Sequence, residues 1–463
     1  MFRRVMRVHC LSLCLLLPVL TACGDDPGPK KTGSDGYPST GDGDGDGDGD
    51  DDAVGDGDTS HHGDGDGEFG TGDGDGGEPG SSTPDASTPS SLPKGEDYSG
   101  WTWVETKGSK CRDGSPAGYY YRLGKSKDLM IFLNGGGACA DHFFCGLNPV
   151  NVSQDMPLEY LIQGTGNLVF GPSPWRQLPV EEGVFKRDPR NPVGDWNMIF
   201  VPYCTGDIHA GVNTDVTVKD VPGVQQFVGY TNFGLFLESF GPSFASAKTI
   251  LLTGSSAGGF GTLLNFDRTQ EFFKPYGGKV IGITDSGIPM RDEYMAACLQ
   301  KRWRELWGLD KVLPKDCKDC FHEDGGGLTQ ALADYYFHTK YKGRMLGGAI
   351  STKQDEIIRA FFAPGLNATK GKPDNCTVDP GYSTVFSALY LDEVYPGSKF
   401  TEGLKDAAQT FGEDQLGYYG MEGSPHMHLF RPDYYNKNGL DKTIAEWVAD
   451  ILAEKNTKVG TFD

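Results

Sequence analysis

Four short, uninterrupted apolar runs constrain this chain more than any other feature: Leu129–Leu133, Met198–Val201, Thr249–Thr253 and Val280–Thr284. A run without polar alternation suits a strand buried on both faces, which is the condition of a parallel sheet. Each run leads directly into a loop rich in Gly or polar residues. Helical patterns lie between or after them, near Thr231–Phe240, from Gly258 to about Phe273, and over Arg291–Leu309. The terminal segment Leu440–Lys455 carries Ile444, Trp447, Val448, Ile451 and Leu452 at three- and four-residue steps, which predicts an amphipathic helix packed on a core. Strands alternating with helices predict an α/β fold: one mostly parallel central sheet covered on both faces. In such sheets, function gathers at the carboxyl ends of the strands.

Charge divides the chain into three parts. Residues 1–23 carry three Arg and no acid, residues 24–95 carry 19 acids against three Lys, and residues 96–463 carry 45 acids against 36 bases. The partial sums of +3, −16 and −9 make up the net charge of −22. No basic stripe exists to displace counterions from phosphates, so a nucleic-acid partner is not expected. Beyond the N-terminus, no run approaches the roughly 20 apolar residues that span a bilayer. Arg3, Arg4 and Arg7 precede an apolar run from Leu11 to Leu20, which reads as a secretory signal over residues 1–22. Leu20-Thr21-Ala22-Cys23 resembles the bacterial lipobox, so Cys23 is the expected lipidation site. The expected location is therefore the bacterial cell envelope, exported and held to a membrane by acyl chains on Cys23. Residues 23–95 then read as a disordered tether. Gly, Asp, Ser, Thr and Pro cannot bury enough apolar surface to offset the entropy of ordering. The Gly-Asp alternation of Gly41–Asp52 lacks the Glu and flanking helices of a calcium-binding loop.

Residues 96–463 form the expected folded domain. It holds Cys111, Cys139, Cys145, Cys204, Cys298, Cys317, Cys320 and Cys376, an even set that suggests disulfides in an exported chain. Cys139 with Cys145 closes a local loop. Cys317 and Cys320 suit either a disulfide or a metal, but no second such pair completes a zinc site. No metal and no cofactor are expected.

The chemistry centres on Gly254-Ser255-Ser256-Ala257-Gly258, which follows one predicted strand and opens a helix. This is the G-x-S-x-G nucleophile elbow, a sharp turn that lifts one hydroxyl clear of the backbone. It makes Ser256 the candidate nucleophile, with the Ala257 N–H as an oxyanion donor at the helix N-terminus. Asp285 ends the next strand and is the candidate triad acid. If those strands are neighbours, their loops lie side by side about 4.8 Å apart. His426 is the candidate base and His428 the second choice, both in a loop before the terminal helix. Asn134-Gly135-Gly136-Gly137-Ala138-Cys139 follows the first apolar run. Its glycines let main-chain N–H groups approach a carbonyl oxygen, which makes Gly136 and Gly137 the second set of oxyanion donors.

Five motifs in this order resemble the pectin acetylesterase family, to which the animal Wnt deacylase Notum also belongs. They are Ile131–Cys139, Val201–Asp207, Gly254–Gly259, Thr284–Gly287 and Gly423–Leu429. The resemblance implies an α/β-hydrolase-like fold and a carboxylic ester hydrolase. It also implies Ser256, Asp285 and His426 as the triad, with donors from Gly136, Gly137 and Ala257. Two departures touch the acyl or leaving-group pocket. Ala138 stands where the family usually has an aromatic residue, and Pro425-His426-Met427 replaces a Ser-His-Thr type of sequence.

Three readings follow. The first is a surface-tethered serine esterase that removes O-acetyl groups from polysaccharide such as pectin. The second is an esterase for longer acyl chains or another acylated substrate. The third is a catalytically silent surface binding module on a stalk. For the anchor, cells fed radioactive palmitate should label the wild-type chain and leave Cys23→Ser unlabelled; label in both, or in neither, would contradict it.

Overall fold

A computed structural model describes residues 91–153, 177–322, 324–366, 376, 388–410 and 415–462. The signal, Cys23 and nearly all of the tether lie outside the described residues. Those described belong to one compact unit, Ser81–Asp463.

In chain order the strands are β1 (Glu96–Tyr98), β2 (Trp101–Lys110), β3 (Pro116–Arg122), β4 (Leu129–Leu133), β5 (Asn197–Val201), β6 (Asn213–Val216), β7 (Gln225–Phe227), β8 (Thr249–Ser255), β9 (Lys279–Asp285), β10 (Gly347–Thr352), β11 (Leu416–Met421) and β12 (Lys458–Val459). Ten of them form one sheet in the order β1-β2-β3-β5-β4-β8-β9-β10-β11-β12, while β6 and β7 make a separate pair. From β5 to β12 every neighbouring pair is parallel, and β1, β2 and β3 extend the edge antiparallel. The fold is thus α/β with a mostly parallel sheet, as expected. All five residues of β4 are fully buried, and those of β5 nearly so, which explains their lack of polar alternation.

The four apolar runs all became strands of the parallel core. Among the strands that the sequence pattern missed are β2, whose burial is interrupted by exposed residues, β3, which is largely buried but made mostly of Gly and Tyr rather than aliphatic residues, and β10, whose Gly-Gly start carries no strong apolar signal. Two helices are shorter than expected. The segment before Ala297 is a turn, so that helix spans Ala297–Trp307. The terminal helix spans Ile444–Leu452 because Thr443 and Glu446 close a capping box at its start. All eight domain cysteines are paired: Cys111–Cys204, Cys139–Cys145, Cys298–Cys376 and Cys317–Cys320. The Cys317–Cys320 alternative is therefore decided for the disulfide.

The nucleophile turn depends on very close packing between β4 and the helix Ala257–Phe273. A Cβ on Gly258 would lie 1.9 Å from the Leu133 carbonyl oxygen, and one on Gly254 would lie 2.4 Å from the Gly258 carbonyl oxygen. Both obstacles are backbone, so neither can swing aside. Gly258→Ala should cost about 3 kcal/mol, the upper range for overpacking. Denaturant unfolding measures this, and an unshifted midpoint would contradict the packing argument.

Candidate active site

The loops that follow β4, β8, β9, β10 and β11 meet at the carboxyl edge of the sheet, because these strands are consecutive neighbours and all parallel. Ser256 sits between β8 and the helix Ala257–Phe273 at φ 57°, ψ −122°, a conformation that L-residues rarely adopt. Its N–H donates to the Asp285 carbonyl at 2.8 Å. A Cβ placed on Gly135 would lie 3.0 Å from Ser256 Cβ and 3.6 Å from Met427 Sδ. The glycine loop, the serine and the histidine loop therefore crowd around one point.

His426 is buried, and its Nδ1 lies 2.8 and 3.0 Å from the two carboxylate oxygens of Asp355. A carboxylate accepts, so Nδ1 carries the proton and Nε2 presents a lone pair. Nε2 is buried and has no hydrogen-bond partner among the described residues. Asp355 is itself fixed: it is fully buried and caps the helix Glu356–Phe362 by accepting from the Ile357 and Ile358 N–H groups. Backbone bonds strap its loop to that of His426, from Lys353 to Met421 and from Gln354 to Gly423. Thr352 Oγ1 adds a third, to the Pro425 carbonyl at 2.7 Å.

The structure corrects the expectation for Asp285. Strands β8 and β9 are neighbours as expected, with Ser255 opposite Asp285. The Asp285 carboxylate, however, does not bond to an imidazole. Its Oδ2 accepts from Ser255 Oγ at 2.8 Å and from the His428 and Leu429 N–H groups at 2.7 and 2.9 Å. Asp285 clamps the histidine loop to the nucleophile strand, and Asp355 faces the ring. Asp355 also lies between Ser256 and His426 along the chain, after β10, the strand next to β9. Its signal was faint: Ala349–Thr352 is short and partly polar, and Asp355 ahead of Glu356-Ile357-Ile358 reads as an ordinary helix cap. Of the two candidate bases, His426 has the carboxylate. The His428 ring makes no hydrogen bond among the described residues, and its Nδ1 lies 3.6 Å from Asp433.

In the glycine loop, the N–H groups of Gly135, Gly136, Gly137 and Ala138 donate to no protein acceptor among the described residues. Ala257 opens its helix, so its N–H has no partner within that helix either. Gly137 has φ 80°, which glycine adopts without strain. Asn148 Nδ2 holds the Gly136 carbonyl. Buried Arg112 braces the Cys139–Cys145 loop through the Cys145 and Asn148 carbonyls at 2.9 and 2.7 Å. Burial lowers its guanidinium to about 10. In the Tyr203–Asp207 loop, buried Asp207 receives Thr205 Oγ1 and the N–H groups of Gly211 and Gly229, and burial raises its carboxyl to about 6. Ser256 lines a small recess of about 20 Å³ together with Ala138, Ile208, Phe260, Trp303, Ile358 and Phe361 among others.

A serine in a strained strand-to-helix turn at the carboxyl edge of a mostly parallel sheet, with a carboxylate-bound imidazole in a loop clamped to the same edge, is the arrangement of an α/β-hydrolase-like fold. A family model described as pectinacetylesterase matches residues 99–338, and the chain belongs to that family. It is 31% identical over 231 residues to palmitoleoyl-protein carboxylesterase notum2 of Xenopus laevis, covering 46% of this chain and 43% of that one. It is also 31% identical over 184 residues to palmitoleoyl-protein carboxylesterase NOTUM of Homo sapiens, covering 38% of this chain and 34% of that one. The chain thus spans less than half the length of these curated relatives. The solved Wnt deacylase Notum from Drosophila shares the fold, with a TM-score of 0.51 at 22% identity, over 72% of this chain and 87% of that one.

The two carboxylates should separate by stability. Asp285→Asn places an amide against buried N–H donors and should cost about 1–3 kcal/mol in denaturant unfolding. Asp355→Asn should cost less, because Asn caps a helix about as well as Asp. Equal losses would contradict the division of roles.

Proposed function

We propose that the chain is a serine carboxylic ester hydrolase that removes short acyl groups, O-acetyl foremost, from polysaccharide. One observation carries this reading: the His426 ring is fixed on Asp355 through Nδ1, and its Nε2 is left unpartnered in a loop clamped against the strand that ends beside Ser256. Ser256 attacks the ester carbonyl as His426 takes its proton. The N–H groups of Gly136, Gly137 and Ala257 receive the oxyanion. His426 then protonates the leaving alcohol, and water, deprotonated by His426, hydrolyses the acyl-enzyme. Asp355, in place of Asp285, holds the imidazole tautomer and stabilises the imidazolium.

The short acyl group is argued from the recess. It is narrow, Trp303, Phe361 and Phe362 line it beside Ala138, and Phe361 stacks on Phe144 at 4.4 Å. A longer acyl chain is the second reading, favoured by the apolar lining and by the palmitoleoyl group in the relatives' names. We also read the chain as exported to a bacterial envelope and anchored at Cys23. Four disulfides fit an oxidising compartment.

Turnover of p-nitrophenyl esters of rising chain length, followed by acetate release from acetylated polysaccharides, tests the proposal. Wild-type turnover should peak at acetyl. Ser256→Ala should lower kcat by roughly a million-fold, and Asp355→Asn by about 10⁴-fold. Full activity in Ser256→Ala would end the hydrolase reading and leave the silent binding module. A peak at long chains would shift the substrate to the second reading.

A further inference from the structure

We propose that His209 is a positioning residue that holds the two halves of the oxyanion site, the glycine loop and the N-terminus of the nucleophile helix, in register. The proposal rests on the ester-hydrolase reading above. It concerns a side chain that neither the motifs nor the triad brings into the chemistry.

His209 touches both halves. On one side, its Nε2 lies 2.8 Å from the carbonyl oxygen of Asn134, the residue that opens the glycine loop. A carbonyl only accepts, so Nε2 carries the proton. Because the peptide is planar and trans, pinning the Asn134 oxygen also fixes the direction of the Gly135 N–H and the start of the path through Gly136 and Gly137. On the other side, the backbone carbonyl of His209 accepts from Asn265 Nδ2 at 2.9 Å. The helix packs directly on this turn. A Cβ on Gly261 would lie 3.0 Å from the Ile208 carbonyl oxygen and 3.1 Å from His209 Cβ. Gly261 and Asn265 belong to the helix Ala257–Phe273, whose first N–H is the other oxyanion donor.

The turn that delivers the imidazole is strained. Ile208 and His209 have φ values of 52° and 57°, and a β-branched residue at positive φ is a genuine outlier. Such a conformation persists only where the surroundings over-determine it. Here Tyr203 does so: its hydroxyl accepts the Ile208 N–H at 2.7 Å, and its ring lies 4.7 Å from the imidazole. His209 is buried, and burial lowers it to about 4, so the ring stays a neutral donor near neutral pH. A histidine kept for packing alone would not need two strained residues to aim its Nε2–H at one carbonyl.

The experiment compares wild type, Ser256→Ala, His209→Phe and His209→Gln on p-nitrophenyl acetate, with thermal melts of each. Phe keeps the bulk and loses the donor, while the Gln amide reproduces a donor at the Nε2 position. His209→Phe should lower kcat roughly tenfold to a hundredfold with KM within about twofold of wild type. Its affinity for a tetrahedral boronic acid analogue should fall by a similar factor. His209→Gln should recover most of both. The proposal is overturned if His209→Phe retains wild-type kcat and boronate affinity, or if Gln is no better than Phe at matched melting temperature. It is overturned equally if only KM or only the melting temperature changes. A wild-type chain without Ser256-dependent turnover would instead take down the hydrolase reading, and this proposal with it.

Discussion

One buried carboxylate oxygen organises the site. Asp285 Oδ2 accepts from Ser255 on the nucleophile strand and from two successive N–H groups, His428 and Leu429, of the distant histidine loop. Ser286 adds a fourth link by accepting the Met427 N–H at 3.1 Å. Buried donors left without acceptors are costly, and each of these would be orphaned if the loop moved away. The clamp therefore fixes where His426 can be, and Asp355 then fixes how its ring is turned. Location and orientation are divided between two carboxylates, one at the end of β9 and one in the loop after the neighbouring β10.

Backbone strain is concentrated at the same edge. Ser256, Ser286 and Met427 have φ values of 57°, 56° and 61°, and Ile208 and His209 lie close behind. Conformations of this kind cost of order 1–3 kcal/mol each, so a cluster of them is sustained only by dense packing around it. That packing is visible in the glycines. Gly254 and Gly258 bring the helix against β4, Gly261 brings it against the His209 turn, and Gly135 brings the oxyanion loop against Ser256. At Gly254, Gly258 and Gly135 the elements approach more closely than a Cβ permits, and at Gly261 the fit is tight.

The recess beside Ser256 is built from several parts of the chain. Ala138 of the glycine loop lines it together with aromatic side chains from two other segments, Trp303 and Phe361 with Phe362. The wall of this recess is thus set partly by residues outside the five motifs.

Local pattern was sufficient for the parallel core, the elbow at Ser256, the glycine loop and the Cys139–Cys145 closure. Each rests on neighbours within a few residues: unbroken apolar runs, small residues at a sharp turn, cysteines six positions apart. It was not sufficient to choose between Asp285 and Asp355. Asp285 ends β9, and Asp355 follows the neighbouring strand β10 by three residues as a helix cap. The choice depends on which carboxylate the loop from Met421 to Leu429 passes with an imidazole and which with its backbone. The role of His209 was hidden for the same reason, since its partner Asn134 lies 75 residues away. Periodicity encodes which face of an element is buried; only the assembled sheet, by fixing strand order and loop paths, decides which side chains meet across it.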